Sequence, residues 1–139
     1  KNTAQYDVII ARDVLEHFSK PDVVRILQLC QTALSDTGKL IVHVPNGESP
    51  FFGRVRYGDY THEVAFTRNT IIQIGQQYGF AQVDVYQTFS RGRGIIEVIR
   101  QMMWWCTQLL YKIMLYSETG HVPYIVSQNL VAVLYKNKT

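Results

Sequence analysis

The chain has 139 residues, 47% of them hydrophobic and 18% charged, a composition that excludes a disordered or collagen-like polymer and suits one globular domain around a single core. Its net charge of +3 is too mild to demand a nucleic-acid partner, although residues 91–139 hold six Lys/Arg against two Asp/Glu while residues 1–90 hold eight against nine. Lys1 stands where an initiator Met would be expected and no charged, apolar leader follows, so a cytoplasmic protein whose true N-terminus lies further upstream is expected.

In chain order, "YDVIIARDV" has a continuous apolar run, Val8 to Ala11, and predicts a strand buried on both faces. "SKPDVVRILQLCQTAL" then places Val23, Val24, Ile26, Leu27, Cys30, Ala33 and Leu34 at helical spacing, with Ser19 as N-cap and Pro21 in the first turn. "SDTG" is a turn, and "KLIVHVP" repeats the buried-strand pattern until Pro45 ends it. Strand, helix, strand in this order predicts a right-handed crossover between two parallel strands. After a long loop, "TRNTIIQIGQQYGF" predicts a helix capped by Thr67 and stopped by Gly79, with Ile71, Ile72, Ile74 and Tyr78 as its buried side. "AQVDVYQTF" alternates as a strand, residues 95–116 form a long helix, and "NLVAVLYK" closes the chain as a last strand.

The first strand has nothing before it to pair with, and an apolar strand at a sheet edge invites aggregation, so either a partner covers it or the chain belongs to a larger doubly wound domain. Cys30 and Cys106 have no Cys or His at zinc-like or redox spacing and read as buried free thiols. The long helix is apolar around most of its circumference, with Glu97, Arg100, Gln101, Gln108 and Lys112 as a narrow polar stripe. Arg100 and Lys112 leave eleven uncharged residues between them, too few to span a bilayer. Packing within the domain, a lid or a homodimer contact is expected there, with membrane-surface contact through residues 95–116 ranked lower.

Taken together, Tyr6-Asp7-Val8, Leu15-Glu16-His17, the Leu34 to Gly38 turn and Val44-Pro45-Asn46 resemble the second half of a class I S-adenosylmethionine-dependent methyltransferase. "GDYTHEVAFTRNTIIQIGQQYGF" is similar to the branch of that family acting on sugars and other small acceptors. The resemblance implies an α/β fold, the C-terminal part of a doubly wound (Rossmann-like) sheet. Two parallel strands with a crossover helix would be followed by a helix and an antiparallel-containing strand pair. Residues 1–139 would be a partial domain without the N-terminal half that carries the cofactor loop, and residues 91–126 a helical insertion between the last two strands. Gly92-Arg93-Gly94 lacks the third glycine and the acid of such a loop and reads as a joint.

The implied cofactor is S-adenosylmethionine, met by Arg12 and Asp13 at the carboxyl end of the first strand and by His17. The loop "SPFFGRVRYGDYTHEVAF" is where acceptor recognition belongs. Asn46, Arg54, Arg56, Tyr57 and Tyr60 are its candidate contacts, suited to a small-molecule or glycan acceptor rather than a nucleic acid. A methyl acceptor hydroxyl must lose its proton as it attacks, and a neutral imidazole takes one near pH 7. His62 is the first choice as base, with Asp59 or Glu63 orienting it; His17 is second, and His43 reads as a core residue. Asp13, Glu16 and His17 share one side of a helical turn and could ligate a hard divalent ion, but further ligands would have to come from water or substrate, and no metal is expected. Rival readings are a non-catalytic module pairing through its open edge and apolar helix, or a nucleotide-cofactor oxidoreductase or epimerase.

Overall fold

The structure, a computed structural model, describes residues 6–89 and 92–137. Its elements are β1 (Tyr6–Arg12), one 3-10 turn (Leu15–His17), α1 (Lys20–Ala33), β2 (Leu34–Pro45), α2 (Phe52–Gly58), α3 (Arg68–Gln77), β3 (Gln82–Gln87), α4 (Ile95–Thr119) and β4 (Asn129–Tyr135). Arg91, the first residue of the expected insertion, lies outside the described residues.

Local signals explain where the helices begin and end. The Ser19 hydroxyl accepts from the Asp22 backbone N–H, and Pro21 occupies the first turn, where its missing N–H costs no intrahelical bond. Thr67 and Thr70 form a reciprocal capping box at the start of α3. Gly79, at φ 96°, turns the chain out of that helix in a conformation that a Cβ would strain. The segment read as pure loop contains α2; its two glycines and two arginines give no apolar stripe by which to recognise it.

The four strands form one sheet in the order β1-β2-β4-β3. β1 and β2 are parallel, as the crossover requires, and β4 runs antiparallel between β2 and β3. Alternation along the strands sends Leu40, Val42, Val44, Leu130, Ala132 and Leu134 to one face, where they meet Val23 and Leu27 of α1 and Ile71 of α3 in one buried cluster. Burying each Val, Leu or Ile among them contributes about 1.5–3 kcal/mol. Gln31 on α1 donates to the carbonyl of Gly79 just past α3, tying the two helices along that face.

Packing on this face leaves no room beside Gly75 of α3. A Cβ built there would sit 2.7 Å from Val83 Cγ2 and 2.9 Å from Leu134 Cδ2. Gly75→Val is therefore expected to destabilise the domain by roughly 1–3 kcal/mol through overpacking, read as a lowered thermal midpoint; an unchanged midpoint would show that α3 does not seat on β3 and β4 as described.

Four expectations are corrected. The residues read as a turn, Ser35 to Gly38, lie within β2. β1, expected to be buried on both faces, is an edge strand with Val8 44% and Ile10 68% exposed, because no described element packs on its second face. Cys106 is exposed rather than buried, and Cys30 is only half-buried, enough for burial to push its thiol pKa up. α4 has no buried residue. Its less exposed positions, among them Glu97, Trp104, Gln108 and Lys112, face the domain, while Ile96, Met102, Trp105 and Leu109 face outward. The inward side thus mixes polar residues of the stripe with Trp104, Tyr111 and Leu115. No helix among the described residues is long and apolar enough to cross a membrane.

Candidate active site

Parallel pairing of Arg12 with His43, and antiparallel pairing of Pro45 with Asn129, bring the carboxyl ends of β1 and β2 and the amino end of β4 to one edge of the sheet. Every segment that carries candidate chemistry leaves from that edge. At the end of β1 the backbone turns at Asp13, whose φ of 51° is left-handed. Its N–H donates to the His43 carbonyl, and its carboxylate accepts from His43 Nδ1 at 2.6 Å and from Arg12 Nε at 3.3 Å. His43, read as a core residue, is therefore half-buried and held by Asp13. Arg12 and Asp13 stay exposed at the rim.

The 3-10 turn that follows buries Leu15 and Glu16. The carbonyl of Glu16 accepts from the backbone N–H groups of both Glu63 and Val64, at 2.7 and 3.1 Å. These two bonds fasten the loop after β2 across the turn and lay His62 against His17, ring centroids 4.8 Å apart and edge to face. Residues 45 positions apart in sequence thus become neighbours through main-chain bonds.

Hydrogen bonding settles the protons on both rings. Thr61 Oγ1 donates its one proton to Asp59 Oδ1 at 2.7 Å, so the 2.8 Å contact between Thr61 Oγ1 and His17 Nδ1 has the ring as donor. His62 Nδ1 lies 3.0 Å from the Val55 carbonyl, which can only accept, so that nitrogen too carries hydrogen. In the neutral rings both Nε2 atoms keep a lone pair. Glu16 completes the group: it is 2% exposed, and its Oε2 is buried with no hydrogen-bond partner. Burial pushes its carboxyl pKa up, aided by the neighbouring Asp13 charge and opposed by its own backbone N–H, His17 and His62. One ligating atom from each of Glu16, His17 and His62 falls within 4.8 Å of the others.

The remaining expected residues divide clearly. Asp59 reaches His17 through its carboxylate and Thr61 and meets only the backbone of His62, whose N–H donates to the Asp59 carbonyl, and the two hydrogen bonds from Thr61 hold the Asp59 carboxyl below the ordinary range. Glu63 is exposed and joins the site through its backbone. Arg56 donates to the Glu63 carbonyl and lies over the Tyr57 ring. Arg54, Tyr57 and Tyr60 point to solvent. Asn46 is 1% exposed, and its amide serves the backbone: Nδ2 donates to the carbonyls of Ile125 and Ser127, and Oδ1 accepts from the Glu48 N–H.

A cavity of about 670 Å³ opens beside this edge under α4, with Phe51, Trp104, Gln108, Ser127 and Gln128 in its wall. Phe51 and Trp104 approach to 5.8 Å between ring centroids, and Tyr111 of α4 donates to the Glu48 carbonyl. Of these wall residues Phe51, in the long loop, and Trp104 and Gln108, in the long helix, lay in segments the sequence marked, none of them as part of a cavity. The signal that could have found the cavity was the polar stripe of α4, which needs a polar surface to face.

Residues 1–85 match the model of a family described as a methyltransferase domain. No curated protein matches the chain. Among solved structures, an S-adenosylmethionine-dependent methyltransferase from Archaeoglobus fulgidus is 18% identical with a TM-score of 0.62, over 96% of this chain and 60% of that one. A protein from Thermotoga maritima, described as a possible histamine N-methyltransferase, is 16% identical at TM-score 0.61, over 94% and 56%. A small RNA methyltransferase is 14% identical at TM-score 0.55, over 95% and 14%. The chain therefore spans at most about 60% of these relatives, and they share its Rossmann-like fold while the names of the last two give different acceptors.

Proposed function

The chain belongs to the methyltransferase-domain family, and from that premise we propose that it is the acceptor-side part of an enzyme transferring a methyl group from S-adenosylmethionine to a hydroxyl of a small molecule or glycan. The observation that carries this reading is the convergence of Glu16, His17 and His62 at the carboxyl edge of the sheet, beside an aromatic-walled cavity. Family membership sets aside the oxidoreductase and epimerase readings.

S-adenosylmethionine would supply an electrophilic methyl carbon on a positively charged sulfur. Arg12 and Asp13, exposed at the rim where the backbone turns at Asp13, fit a donor lying across the end of β1. Phe51 and Trp104 offer apolar faces to a sugar ring, and the amides of Gln108 and Gln128 offer hydrogen bonds to its hydroxyls. In that transfer the acceptor hydroxyl would have to give up its proton, and the Nε2 lone pair of His62 is placed to take it. Asp59 and Thr61 keep His17 in the matching tautomer beside it. Most of the rate advantage comes from holding acceptor and donor in line, with proton removal second.

We further propose that the domain is partial and that its cofactor-loop half is encoded upstream of Lys1. Support comes from the apolar second face of β1, since doubly wound sheets carry helices on both faces. The outward apolar side of α4 suits a lipid surface or a second copy of the chain, and two unpaired cysteines suit a reducing, cytoplasmic compartment. The reading frame upstream of Lys1 tests the partial-domain proposal: a strand followed by a glycine-rich turn supports it, and an in-frame stop codon overturns it.

A further inference from the structure

We propose that the outward side of α4 is the seam of a homodimer, in which two copies of the chain pair their α4 helices. Ile95, Ile99, Met102, Cys106, Leu109 and Ile113 follow one another in alternating steps of four and three residues. That is the heptad spacing by which one helix sets knobs into the holes of another. Tyr116, three residues on, carries the series past three heptads. All of these positions are exposed, Ile95 at 80% and Leu109 at 61%. Ile96, Met103, Leu110 and Met114 widen the stripe on its flank.

The patch has the size of a dimer contact. α4 has 25 residues, which makes it about 37 Å long, and the outward half of a helix about 11 Å across then offers roughly 600–800 Å². Apolar patches on monomers rarely pass about 300–600 Å², whereas each partner in a standard interface gives about 800 Å². A bilayer surface fits this side less well. A helix lying on anionic lipid borders its apolar face with Lys and Arg, but α4 has two cations matched by two acids. Arg100 is bonded to Glu97 at 2.8 Å, and Lys112 is half-buried toward the domain. Nor does a bilayer select steps of four and three, which a second helix does.

The strand order keeps this side clear. α4 links β3 to β4 while β1 is the opposite edge of the sheet, so strands added through β1 would extend the sheet away from α4. Two-fold pairing is isologous, the seam of one copy meeting the same seam on the other. Cys106 lies one residue from the middle of α4, so full overlap of the helices sets the two copies of Cys106 beside the axis, whether they run parallel or antiparallel. Pairing braces a helix that has no buried residue of its own, and with it the cavity wall formed by Trp104 and Gln108. This choice of a second copy over a lipid surface rests on no step of methyl transfer.

The test is size-exclusion chromatography with light scattering on the protein translated from the full reading frame, at micromolar concentration. A mass of two chains is expected, falling twofold to one chain in the double variant Met102→Lys, Leu109→Lys, with circular dichroism unchanged. It should stay at two chains in Leu29→Lys, a residue of α1 outside the seam and as exposed as Leu109. In a Cys30→Ser background a short bis-maleimide is expected to join the chains through Cys106, a readout that leaves the seam intact and decides the matter if the double variant fails to fold. A monomer, a dimer that survives the folded double variant, or a dimer not joined at Cys106 overturns the seam. So does a monomer that floats with phosphatidylglycerol vesicles, the behaviour of a lipid-docking helix. Titrating S-adenosylmethionine into the same samples keeps the two readings apart. A dimer that takes up no cofactor sinks the methyltransferase reading alone, and cofactor uptake by a monomer sinks the seam alone.

Discussion

Replacing His62 by alanine in the complete protein is expected to lower kcat by about 10²- to 10⁴-fold while leaving the affinity for S-adenosylmethionine unchanged. The split follows from where the ring lies. Its Nδ1 is committed to the Val55 carbonyl and its edge meets His17, so the free Nε2 faces the group formed with Glu16 rather than the Arg12–Asp13 rim at the end of β1. The donor is expected at that rim and the acceptor at the loop. Removing the imidazole also loosens α2, because the bond to Val55 is lost; His62→Gln, which can still donate to that carbonyl, separates the two effects. A loss of turnover shared by both variants marks chemistry at Nε2. Equal losses of turnover and of cofactor affinity would instead mark a residue that only braces the loop.

Asn46→Ala is expected to cost about 2–4 kcal/mol of stability. The Asn46 side chain satisfies two buried carbonyls, Ile125 and Ser127, which have no water to turn to where the amide is 1% exposed, and one half-buried N–H, Glu48. Its backbone N–H also bonds the Gln128 carbonyl, and the next residue bonds Phe66. One side chain therefore joins the end of β2, the start of the acceptor loop and the return from α4 into β4. Chemical denaturation should show the midpoint falling without a change in slope, and a shift below about 0.5 kcal/mol would mean that these bonds are replaced by water.

Asn46 also marks the limit of what a sequence discloses. The crossover between Val8 and Pro45 announced itself because its signals were local: an apolar run, a cap three residues from its acid, a proline where a ladder must end, although the residues read as a turn, Ser35 to Gly38, belong to β2. The capping of α3 was legible for the same reason. An asparagine ending a strand reads equally well as a ligand contact and as a clamp, and only the approach of residues 125–128 decides between them. The same holds for the site. His17 and His62 were both visible as candidates, but their contact depends on two main-chain bonds to the Glu16 carbonyl that no spacing rule foretells. Glu16 was visible as well, yet its orphaned oxygen is a property of burial, not of type.

For α4 the periodicity gave the correct stripe and no indication of which stripe faces inward. Hydrophobic patterning assigns the apolar side to the core only when the core is what the helix covers. Here the helix roofs a cavity with polar and aromatic walls, and its apolar side is left outside. β1 fails the pattern in the opposite sense: its residues have the composition of a strand covered on both faces, and in this chain one face is open.

The central claim, that this chain completes a methyltransferase site, is tested most directly by titrating S-adenosylmethionine into the protein translated from the full reading frame, followed calorimetrically. The account predicts saturable binding with one cofactor per chain, weakened when the Asp13 turn is disturbed by Asp13→Val, a β-branched residue that does not tolerate the left-handed backbone found there. A full-length, folded protein that takes up no S-adenosylmethionine would contradict it.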